Sequence, residues 1–372
     1  MRTIFIILRK EFLQIFRNKM MYPIIFVVPF VQLIILVYAA TFEMKSIKTC
    51  IVDQDNTVTS RQLISKIRGT PFYVIQAYAQ SHAEAEELLK MGKADLVIEF
   101  PDNFEKNLIN NQKSGVQLLV NAINGTAAGL TQAYTTRIIS DFNVNSLMAR
   151  QGILGPMPFK SINITYSYWY NPRLNFKTFM VPGILVLLVT IISLLLSGMN
   201  IVREKEMGTI EQINVTPIKK YQFIAGKLLP FWIIALFELA LGLTIGKILF
   251  DIPIIGSLWL IFGIVSIYLI GILSLGLFVS TVTHTQQQSM FISFFFMMIF
   301  ILMSGLFTSV DNMPEWARMI NYFNPVAYLI KMMRMIMLKG SGFADVQRDV
   351  AYLSVLVLSL LTLAIRRYRK VA

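Results

Sequence analysis

Long apolar runs alternate with short charged segments along most of the 372-residue chain. Six of these runs approach the ~20 residues that an α-helix needs to cross the hydrocarbon core of a bilayer. The pattern predicts a polytopic α-helical membrane protein with six transmembrane helices and an inserted domain. The predicted spans are residues 21–40, 176–202, 228–250, 257–282, 287–307 and 350–366.

Residues 1–20 have an amphipathic pattern of their own. Ile4, Leu8 and Ile15 follow helical spacing between basic residues, and Glu11 is the one acidic residue of the segment. This pattern favours a helix that lies in the headgroup region of an anionic leaflet. The apolar run that follows lacks a small-residue cleavage site, so we interpret it as a retained span and not as a removed signal.

Residues 41–175 change to the pattern of a water-soluble domain. Short β-rich runs alternate with short helical patterns, and Ser81 followed by Glu84 has the spacing of a capping box. The alternation favours an α/β or α+β domain with a partly parallel sheet. Predicted strands are 48–52, 72–78, 94–100, 116–122 and 162–170, and predicted helices are 59–68, 82–90, 102–111 and 126–150.

The distribution of charge predicts an orientation. With the amino terminus in the cytoplasm, residues 1–20, the segment 203–227 and the tail 367–372 place their basic residues inside. This orientation places both the N- and the C-terminus in the cytoplasm and makes residues 41–175 extracytoplasmic. The outer loop 308–349 also holds five basic residues, which argues against this orientation, but long loops are a weaker guide.

Composition supports a membrane protein and no other class. Hydrophobic residues make up 55% of the chain and the mean hydropathy is +0.60, which is too apolar for a soluble protein of this size. The net charge of +13 comes from basic residues beside apolar runs, which favours membrane topology over nucleic-acid binding. The single Cys50 forms no intrachain disulfide, and a free buried thiol is its plain interpretation.

The sequence carries no motif for chemistry within the chain. No G-x-x-x-x-G-K-[ST] loop is present, and Gly226-Lys227 is followed by Leu228, which offers no hydroxyl for magnesium. His82 and His284 lie in different predicted compartments, and neither has a second metal ligand beside it. We therefore expect no enzymatic activity and no cofactor in this chain, so ATP-driven transport would need a separate ATPase subunit.

Three residues inside predicted spans are candidates for a translocation path. Glu238 is a costly carboxylate in a span, so it should face the bundle, a cavity or a partner; substrate contact, proton coupling and a structural hydrogen bond all remain open. Gln32 is either an interhelical hydrogen-bonding group or a transport site. Met297 lies in a run rich in Met and Phe, which suits either varied lipophilic substrates or ordinary packing.

The charged segment 203–227 lies between two spans and is predicted to hold a short amphipathic helix that Pro217 ends. Charge alone is equally typical of an ordinary basic loop. Its sequence R-E-K-E-x-G-T-x-E, followed by T-P and G-K, resembles the intracellular loop of type-2 ABC exporter permeases. The matching residues are Arg203, Glu204, Glu206, Gly208, Thr209, Glu211, Thr216, Pro217, Gly226 and Lys227.

The resemblance implies roles for two segments. In that family the loop forms a coupling helix that docks on a separate ATPase subunit, which carries ATP and Mg. Residues 308–340 also resemble the family, through Pro314, Asn324, Pro325 and Tyr328 in the pattern M-P-x-W…N-P-x-x-Y. There the segment forms short re-entrant outer helices, which would serve as an outer gate or as a structural cap.

Resemblance and topology together predict a permease subunit of a bacterial ATP-driven exporter in the cell (inner) membrane. It would move a hydrophobic or amphipathic small molecule outward. Expected partners are an ABC ATPase, a second copy or paralogous permease, membrane lipids, and a periplasmic adaptor with an outer-membrane channel. The alternatives are a membrane-anchored receptor that acts through residues 41–175 and an ion-driven transporter that uses Glu238; the sequence shows no matching second half for the latter.

Overall fold

The protein is described here by a computed structural model covering residues 2–17, 19, 21–39, 46–110, 114–150, 169–172, 175–209 and 218–367. It divides into two compact units, Met1–Thr41 with Ser167–Ala372 and Phe42–Tyr166. Each unit has its own apolar core. The predicted inserted domain therefore corresponds to a separate compact unit.

The helices and strands are numbered in chain order. The helices are α1 Arg2–Arg17, α2 Met21–Ala39, α3 Val58–Arg68, α4 His82–Lys90, α5 Phe104–Ile109, α6 Gly125–Arg150, α7 Phe176–Glu206, α8 Lys220–Phe250, α9 Leu258–Val282, α10 Gln286–Leu302, α11 Glu315–Asn321, α12 Pro325–Lys339 and α13 Phe343–Arg367. The strands are β1 Ile47–Asp53, β2 Tyr73–Ala79, β3 Leu96–Phe100 and β4 Gln117–Val120.

Apolar helices occupy all six predicted spans. Among the described residues, α7, α8, α9 and α13 are long and apolar enough to cross a membrane. The 31 residues of α7 extend about 46 Å, well beyond a hydrocarbon core of ~30 Å. The apolar parts of α2 and α10 are shorter, at Ile25–Ala39 and Gln286–Leu302.

The helix that contains the last predicted span begins before residue 350. Helix α13 begins at Phe343 and has 25 residues. Asp345 lies in its first turn and accepts a hydrogen bond from the N–H of Gly342 at 2.8 Å. A carboxylate there stabilises the helix N-terminus, and polar residues in the first two turns interrupt the apolar pattern that a count of apolar positions follows.

Contacts along the helices fix their directions. Helices α2 and α8 run the same way, α7 runs opposite to both, α9 and α13 run with α7, and α10 runs against it. The contacting pairs are Phe26–Phe237 and Tyr38–Phe250 for α2 with α8, Leu185–Gly242 and Val181–Gly246 for α7 with α8, Thr190–Tyr268 and Ser197–Leu273 for α7 with α9, and Gly198–Ser289 and Gly183–Leu306 for α7 with the α10 segment. For α9 with α13 the contacting pair is Gly271–Val357, and further along both helices Leu277 and Ala364 belong to one apolar cluster.

One end of this bundle is rich in basic residues. It holds the start of α8 and α10 and the ends of α7, α9 and α13, and α1 packs beside α8 there. We call it the basic end. Its basic residues include Lys10, Arg203, Lys205, Lys219, Lys220, Lys227, Arg366 and Arg367.

At the opposite end the chain turns back beside α10. Asn324, just before α12, donates to the carbonyl of Phe300 inside α10 at 2.8 Å. Further along α12, Arg334 donates to the carbonyl of Gly305 at 3.0 Å, so α12 runs in the direction of α10. Lys331 pairs with Asp349 of α13 at 2.9 Å. Helix α12 is therefore packed into the bundle, and its apolar residues belong to the main core.

The predicted short helix does not include Arg203–Glu206 as part of a separate element, while Thr209, after the turn at residues 207–208, is helical again. Residues Arg203–Glu206 are the last turn of α7, and α8 already begins at Lys220. The reason is that an apolar span and its charged extension form one continuous helix until a glycine allows it to end. Residues 210–217, which include Glu211, Thr216 and Pro217, lie outside the described residues.

The inserted unit has a four-stranded mixed sheet with strand order β2-β1-β3-β4. Strand β1 is parallel to β2 and β3, and β4 is antiparallel to β3. Side chains of β1 alternate between two apolar clusters, with Ile47 and Ile51 on one face and Cys50 and Val52 on the other. This alternation buries both faces of the sheet, as the predicted partly parallel α/β domain requires. Cys50 is free and buried, as predicted.

The predicted capping box at α4 is only half formed. Ser81 accepts from the N–H of Glu84 at 3.3 Å, but the Glu84 carboxylate accepts from Gln80 and not from Ser81. The bounds of the remaining predicted elements of this unit shift by a few residues, as is common at element ends. Most of the predicted strand 162–170 and of the tail 367–372 lies outside the described residues.

His82 provides a pH-dependent contact in this unit. Its exposed ring lies 2.7 Å from the buried Glu99 carboxylate, whose hydrogen bond and charge raise the pKa of His82. The stabilisation is therefore complete below the ordinary pKa of about 6.5 and is lost as the pH rises through the raised value.

We expect NMR of histidine-labelled protein to show a raised pKa for His82 that returns towards about 6.5 in Glu99→Gln. The chain has two histidines, so His284 supplies an internal reference. An unchanged His82 titration in the variant would contradict the contact.

Candidate functional site

Charged side chains are buried where α1, α7 and α8 meet. Lys227 of α8 lies 2.7 Å from Glu11 of α1 and 2.6 Å from Glu204 of α7. Asn200 of α7 accepts from Lys227 at 2.9 Å and donates to Glu11 at 2.9 Å. Lys10 reaches Glu204 from the surface at 2.5 Å. We call these five residues the charge cluster.

The charge cluster is balanced, with two carboxylates and two ammonium groups. Burial by itself lowers the pKa of Lys10, but the hydrogen bond and charge of Glu204, together with the charge of Glu11, outweigh it and raise that pKa. Buried charges cost several kcal/mol each unless they are well paired. The cluster therefore favours one arrangement of the three helices over others, because any displacement separates charges that water does not reach.

A glycine allows α1 to approach α8 closely enough for this pairing. A Cβ atom on Gly226 would lie 2.7 Å from the side chain of Ile7, which is closer than real Cβ contacts come. Ile7 and Glu11 are one helical turn apart on α1, just as Gly226 and Lys227 are neighbours on α8. The Gly-Lys pair thus brings α1 close and then binds its carboxylate.

Two further motif residues end α7 beside the charge cluster. Gly208 has φ of +68°, a left-handed conformation that glycine adopts without strain. Its N–H donates to the carbonyl of Lys205 at 3.1 Å, and the Thr209 hydroxyl donates to the carbonyl of Glu204 at 3.3 Å. This helix end keeps Glu204 in the last turns of α7, facing Lys227.

The last turn of α7 also holds the turn between α9 and α10. The ammonium group of Lys205 donates to the carbonyls of Ser280 and of Thr283, the second at 3.2 Å. Glu206 accepts from the backbone N–H of Gln286 at 2.8 Å and from its side-chain amide. The end of α7 is therefore hydrogen-bonded to the turn between α9 and α10, and this connects the loop after α7 to the loop after α9.

The predicted ATPase-coupling residues fall into two groups. Glu204 and Lys227 are buried, so their side chains contact helices of this chain and not a surface partner. Residues 206–208 are exposed and Thr209 is partly exposed; we call residues 206–209 the exposed turn. Arg203 is also partly exposed. The roles of Glu211, Thr216 and Pro217 stay predictions, since these residues lie outside the described part of the chain.

Sequence reasoning missed several residues of these contacts. Lys10, Glu11 and Asn200 were not proposed, although Glu11 is the one acidic residue of a basic segment and Asn200 interrupts an apolar run. Arg334 was also missed: its guanidinium lies 3.7 Å from the centre of the Phe179 ring and donates to the Phe179 carbonyl at 3.2 Å. An isolated polar residue in an apolar or oppositely charged segment is the sequence feature that could have identified these residues, but the sequence does not show which partners they contact.

The three residues predicted for a translocation path are not joined by hydrogen bonds. Glu238 is buried on α8, and both its carboxylate oxygens lack a hydrogen-bond partner among the described residues. Met297 is buried in the main apolar core, and Gln32 of α2 is partly buried. The structural hydrogen bond considered for Glu238 is therefore absent among the described residues of this single chain.

Three of the four residues predicted for an outer gate lie together. Asn324 caps α12 by accepting a backbone hydrogen bond two residues on, and Pro325 is the first residue of that helix. The Tyr328 hydroxyl donates to the carbonyl of Tyr322 at 3.4 Å. Pro314 lies apart, at the start of α11. These contacts hold the turn between α11 and α12; a gating role stays a prediction.

Comparison with known proteins gives one consistent family. Residues 19–366 match the family described as ABC-2 family transporter protein. The chain is 30% identical to the probable multidrug ABC transporter permease YbhR of Escherichia coli (strain K12), over 90% of each chain. It is 23% identical to the probable multidrug ABC transporter permease YbhS of the same organism, over 89% of this chain and 87% of that one. It is also 24% identical to ABC transporter G family member 20 of Dictyostelium discoideum, over 94% of this chain and 48% of that protein.

Removing the central cation should destabilise the protein strongly. Lys227→Met leaves Glu11 and Glu204 buried without their shared partner, so we expect a loss of about 3–5 kcal/mol in the free energy of unfolding. Unfolding of the full-length protein in detergent measures it. Lys247→Ala, an exposed lysine on the same helix, is the control and should have no effect. Adding Glu11→Gln and Glu204→Gln to Lys227→Met should restore most of the loss; a triple variant as unstable as the single one would contradict this explanation.

Adding one methyl group at Gly226 should separate α1 from α8. We expect Gly226→Ala to cost about 1–3 kcal/mol, the usual range for overpacking, because Ile7 has to move. Gly263→Ala is the matched control, since a Cβ there meets nothing within 4 Å. Thermal unfolding of both variants is the measurement, and equal midpoints would exclude a close-contact role for Gly226.

Proposed function

The chain belongs to the ABC-2 family of transporter proteins, and from this premise we propose that it is the membrane-spanning permease subunit of an ATP-driven exporter. We assign ATP and Mg²⁺ to a separate ATPase subunit. The names of the relatives as multidrug permeases support a hydrophobic or amphipathic small molecule as the substrate. The membrane-anchored receptor is not favoured, because the match extends over the helices and not only over the inserted unit.

The observation that carries the proposal is the position of the exposed turn directly beyond the charge cluster. Force applied at residues 206–209 acts on the last turn of α7, where Glu204 is held to Lys227 of α8 and Lys10 of α1. Packed, charge-paired helices move as a unit because separating their charges is costly. An ATPase that presses on this turn would therefore move α1, α7 and α8 together.

Topology supports the assignment of sides. The basic end would face the cytoplasm, where Lys and Arg accumulate next to spans. The loops at the opposite end also contain basic residues, but Lys331 pairs with Asp349 and Arg334 binds backbone carbonyls. We infer six crossings, with residues 41–175 extracytoplasmic and both termini inside.

The transport cycle follows from these assignments. ATP binding would bring two ATPase subunits together and press on the exposed turns of two permeases, either two copies or a paralogous pair. Helices α7 and α8 would then shift as a unit and open an outward path. Glu238, Gln32 and Met297 are candidates to line that path, and the turn at Asn324 would close its outer mouth. A periplasmic adaptor and an outer-membrane channel are further proposed partners.

Isolation of the tagged chain from its host in mild detergent tests the function. Co-purification of a soluble protein with a nucleotide-binding G-x-x-x-x-G-K-[ST] loop is the expected result. If the chain emerges without one, and only its residues 41–175 hold a partner, the exporter proposal fails.

A charge placed on the exposed turn should weaken capture of the ATPase without unfolding the permease. Met207 is 50% exposed, so Met207→Asp should leave the melting temperature unchanged and reduce the co-purified ATPase several-fold. Met319→Asp, at an exposed methionine of α11, is the control and should retain the ATPase. Equal capture by both variants would place the docking surface elsewhere.

A further inference from the structure

We propose that a groove at the basic end binds an anionic phospholipid of the adjacent leaflet. The groove lies between α8, α9 and α13 and encloses about 630 Å³, a volume within the usual range of ligand pockets. Its lining residues are apolar apart from Lys220 at the start of α8. An apolar groove with a cation at one end has the chemistry of an acyl chain joined to an anionic headgroup.

The wall formed by α8 is regular and fixed. Tyr221, Ala225, Leu228 and Trp232 follow each other at three- and four-residue spacing, so they form one stripe along the helix. The indole N–H of Trp232 donates to the carbonyl of Ser266 in α9 at 3.2 Å. The groove is therefore built into the packing of α8 against α9.

On the three helices that line the groove, the charges nearest to it are of one sign, while Glu11 and Glu204 are paired with Lys227 in the charge cluster. Lys220 lines it, and Arg366 and Arg367 directly follow its lining residue Ile365 on α13. Helix α9 contains no acidic residue, and the acids of α13 lie in its first two turns, at the other end. On α8 the one acid is Glu238, about 27 Å along the helix from Lys220. Basic pockets between membrane helices on the cytoplasmic side are suited to anionic headgroups.

A second copy of this chain is a poorer occupant. A two-fold contact across the groove would bring Lys220, Arg366 and Arg367 of one copy near the same residues of the other. Like charges brought together oppose association, whereas an anionic lipid compensates them. Charge complementarity thus selects the lipid.

Lipid in the groove would act on the helix that carries the charge cluster. Gly226 and Lys227 lie on one face of α8, while Ala225 and Leu228 line the groove on another. The bound lipid would hold the first turns of α8 from the face opposite α1. Only the assignment of the groove to the inner leaflet rests on the proposed function.

Quenching of Trp232 by brominated lipids tests the proposal in the full-length protein. The chain has four tryptophans, so replacing Trp169, Trp259 and Trp316 by Phe leaves Trp232 as the reporter. In phosphatidylcholine nanodiscs, we expect brominated phosphatidylglycerol to quench saturably at a lower mole fraction than brominated phosphatidylcholine.

Three variants of this reporter protein locate the effect. Lys220→Ala should weaken the apparent affinity for phosphatidylglycerol about fivefold, which is the expected contribution of one basic residue near the surface. Ala225→Phe should also lower the apparent affinity for phosphatidylglycerol, because the larger side chain fills the groove without changing any charge. Lys247→Ala, on the same helix at its other end, is the matched control and should leave it unchanged.

Each outcome decides the proposal. Equal quenching by both lipids would exclude headgroup selection, and a preference that survives Ala225→Phe would indicate diffuse surface charge. If Trp232 is quenched no more strongly than bulk lipid alone accounts for, lipid does not enter the groove, and the groove is covered. If Ala225→Phe does not give a monodisperse protein, the double variant Lys220→Ala with Arg366→Ala replaces it and should lose the preference. No ATPase is present, so lipid binding and ATPase capture succeed or fail separately.

Discussion

The pairing of one buried ammonium group with two buried carboxylates is the constraint on which the basic end of the bundle depends. Lys227 meets Glu11 and Glu204 within 2.7 Å, and each of the three comes from a different helix. None of them has water as an alternative partner, because all three are buried. Apolar contacts would tolerate sliding of α1 along α8 at small cost, whereas this pairing does not. The position of a short amphipathic helix is thereby tied to two long apolar ones.

The family motif gains a structural meaning from the same contacts. Gly226 makes room for Ile7, Lys227 binds the carboxylates, and Gly208 and Thr209 end α7 so that Glu204 faces inward. Glu204, Gly226 and Lys227 are buried and therefore act within the chain, whereas Gly208 and Thr209 both end α7 and belong to the exposed turn. Among the described motif residues, the exposed turn is the most accessible part, and a single helical turn attaches it to the charge cluster.

The sequence sufficed for features that depend on neighbouring residues. Apolar runs located the helices of the six predicted spans, and β-rich runs located the four strands that the structure describes in the inserted unit, because each pattern reflects the residues of one element. The sequence did not predict contacts between residues that are far apart in the chain. Glu11 and Lys227 are 216 positions apart, and nothing local to either residue identifies the other. The start of α13 at Phe343 was missed because Asp345, Gln347, Arg348 and Asp349 interrupt the apolar pattern in its first two turns, while Asp345 stabilises the helix start.

The charge cluster and Glu238 show two different states of buried charge on the same helix. Glu238 follows Lys227 by eleven residues, about 16 Å along α8, yet its carboxylate has no hydrogen-bond partner among the described residues. The charges of the cluster are paired and hold its helices together, although Oε2 of Glu204 accepts no hydrogen bond among the described residues. An unpaired carboxyl group such as that of Glu238 is stabilised by whatever polar or cationic group approaches it. Both residues lie on α8, with Pro230 between them, where the missing backbone N–H allows a helix to bend. Helix α8 therefore carries a paired ammonium group and an unpaired carboxyl group on opposite sides of a point where the helix can bend.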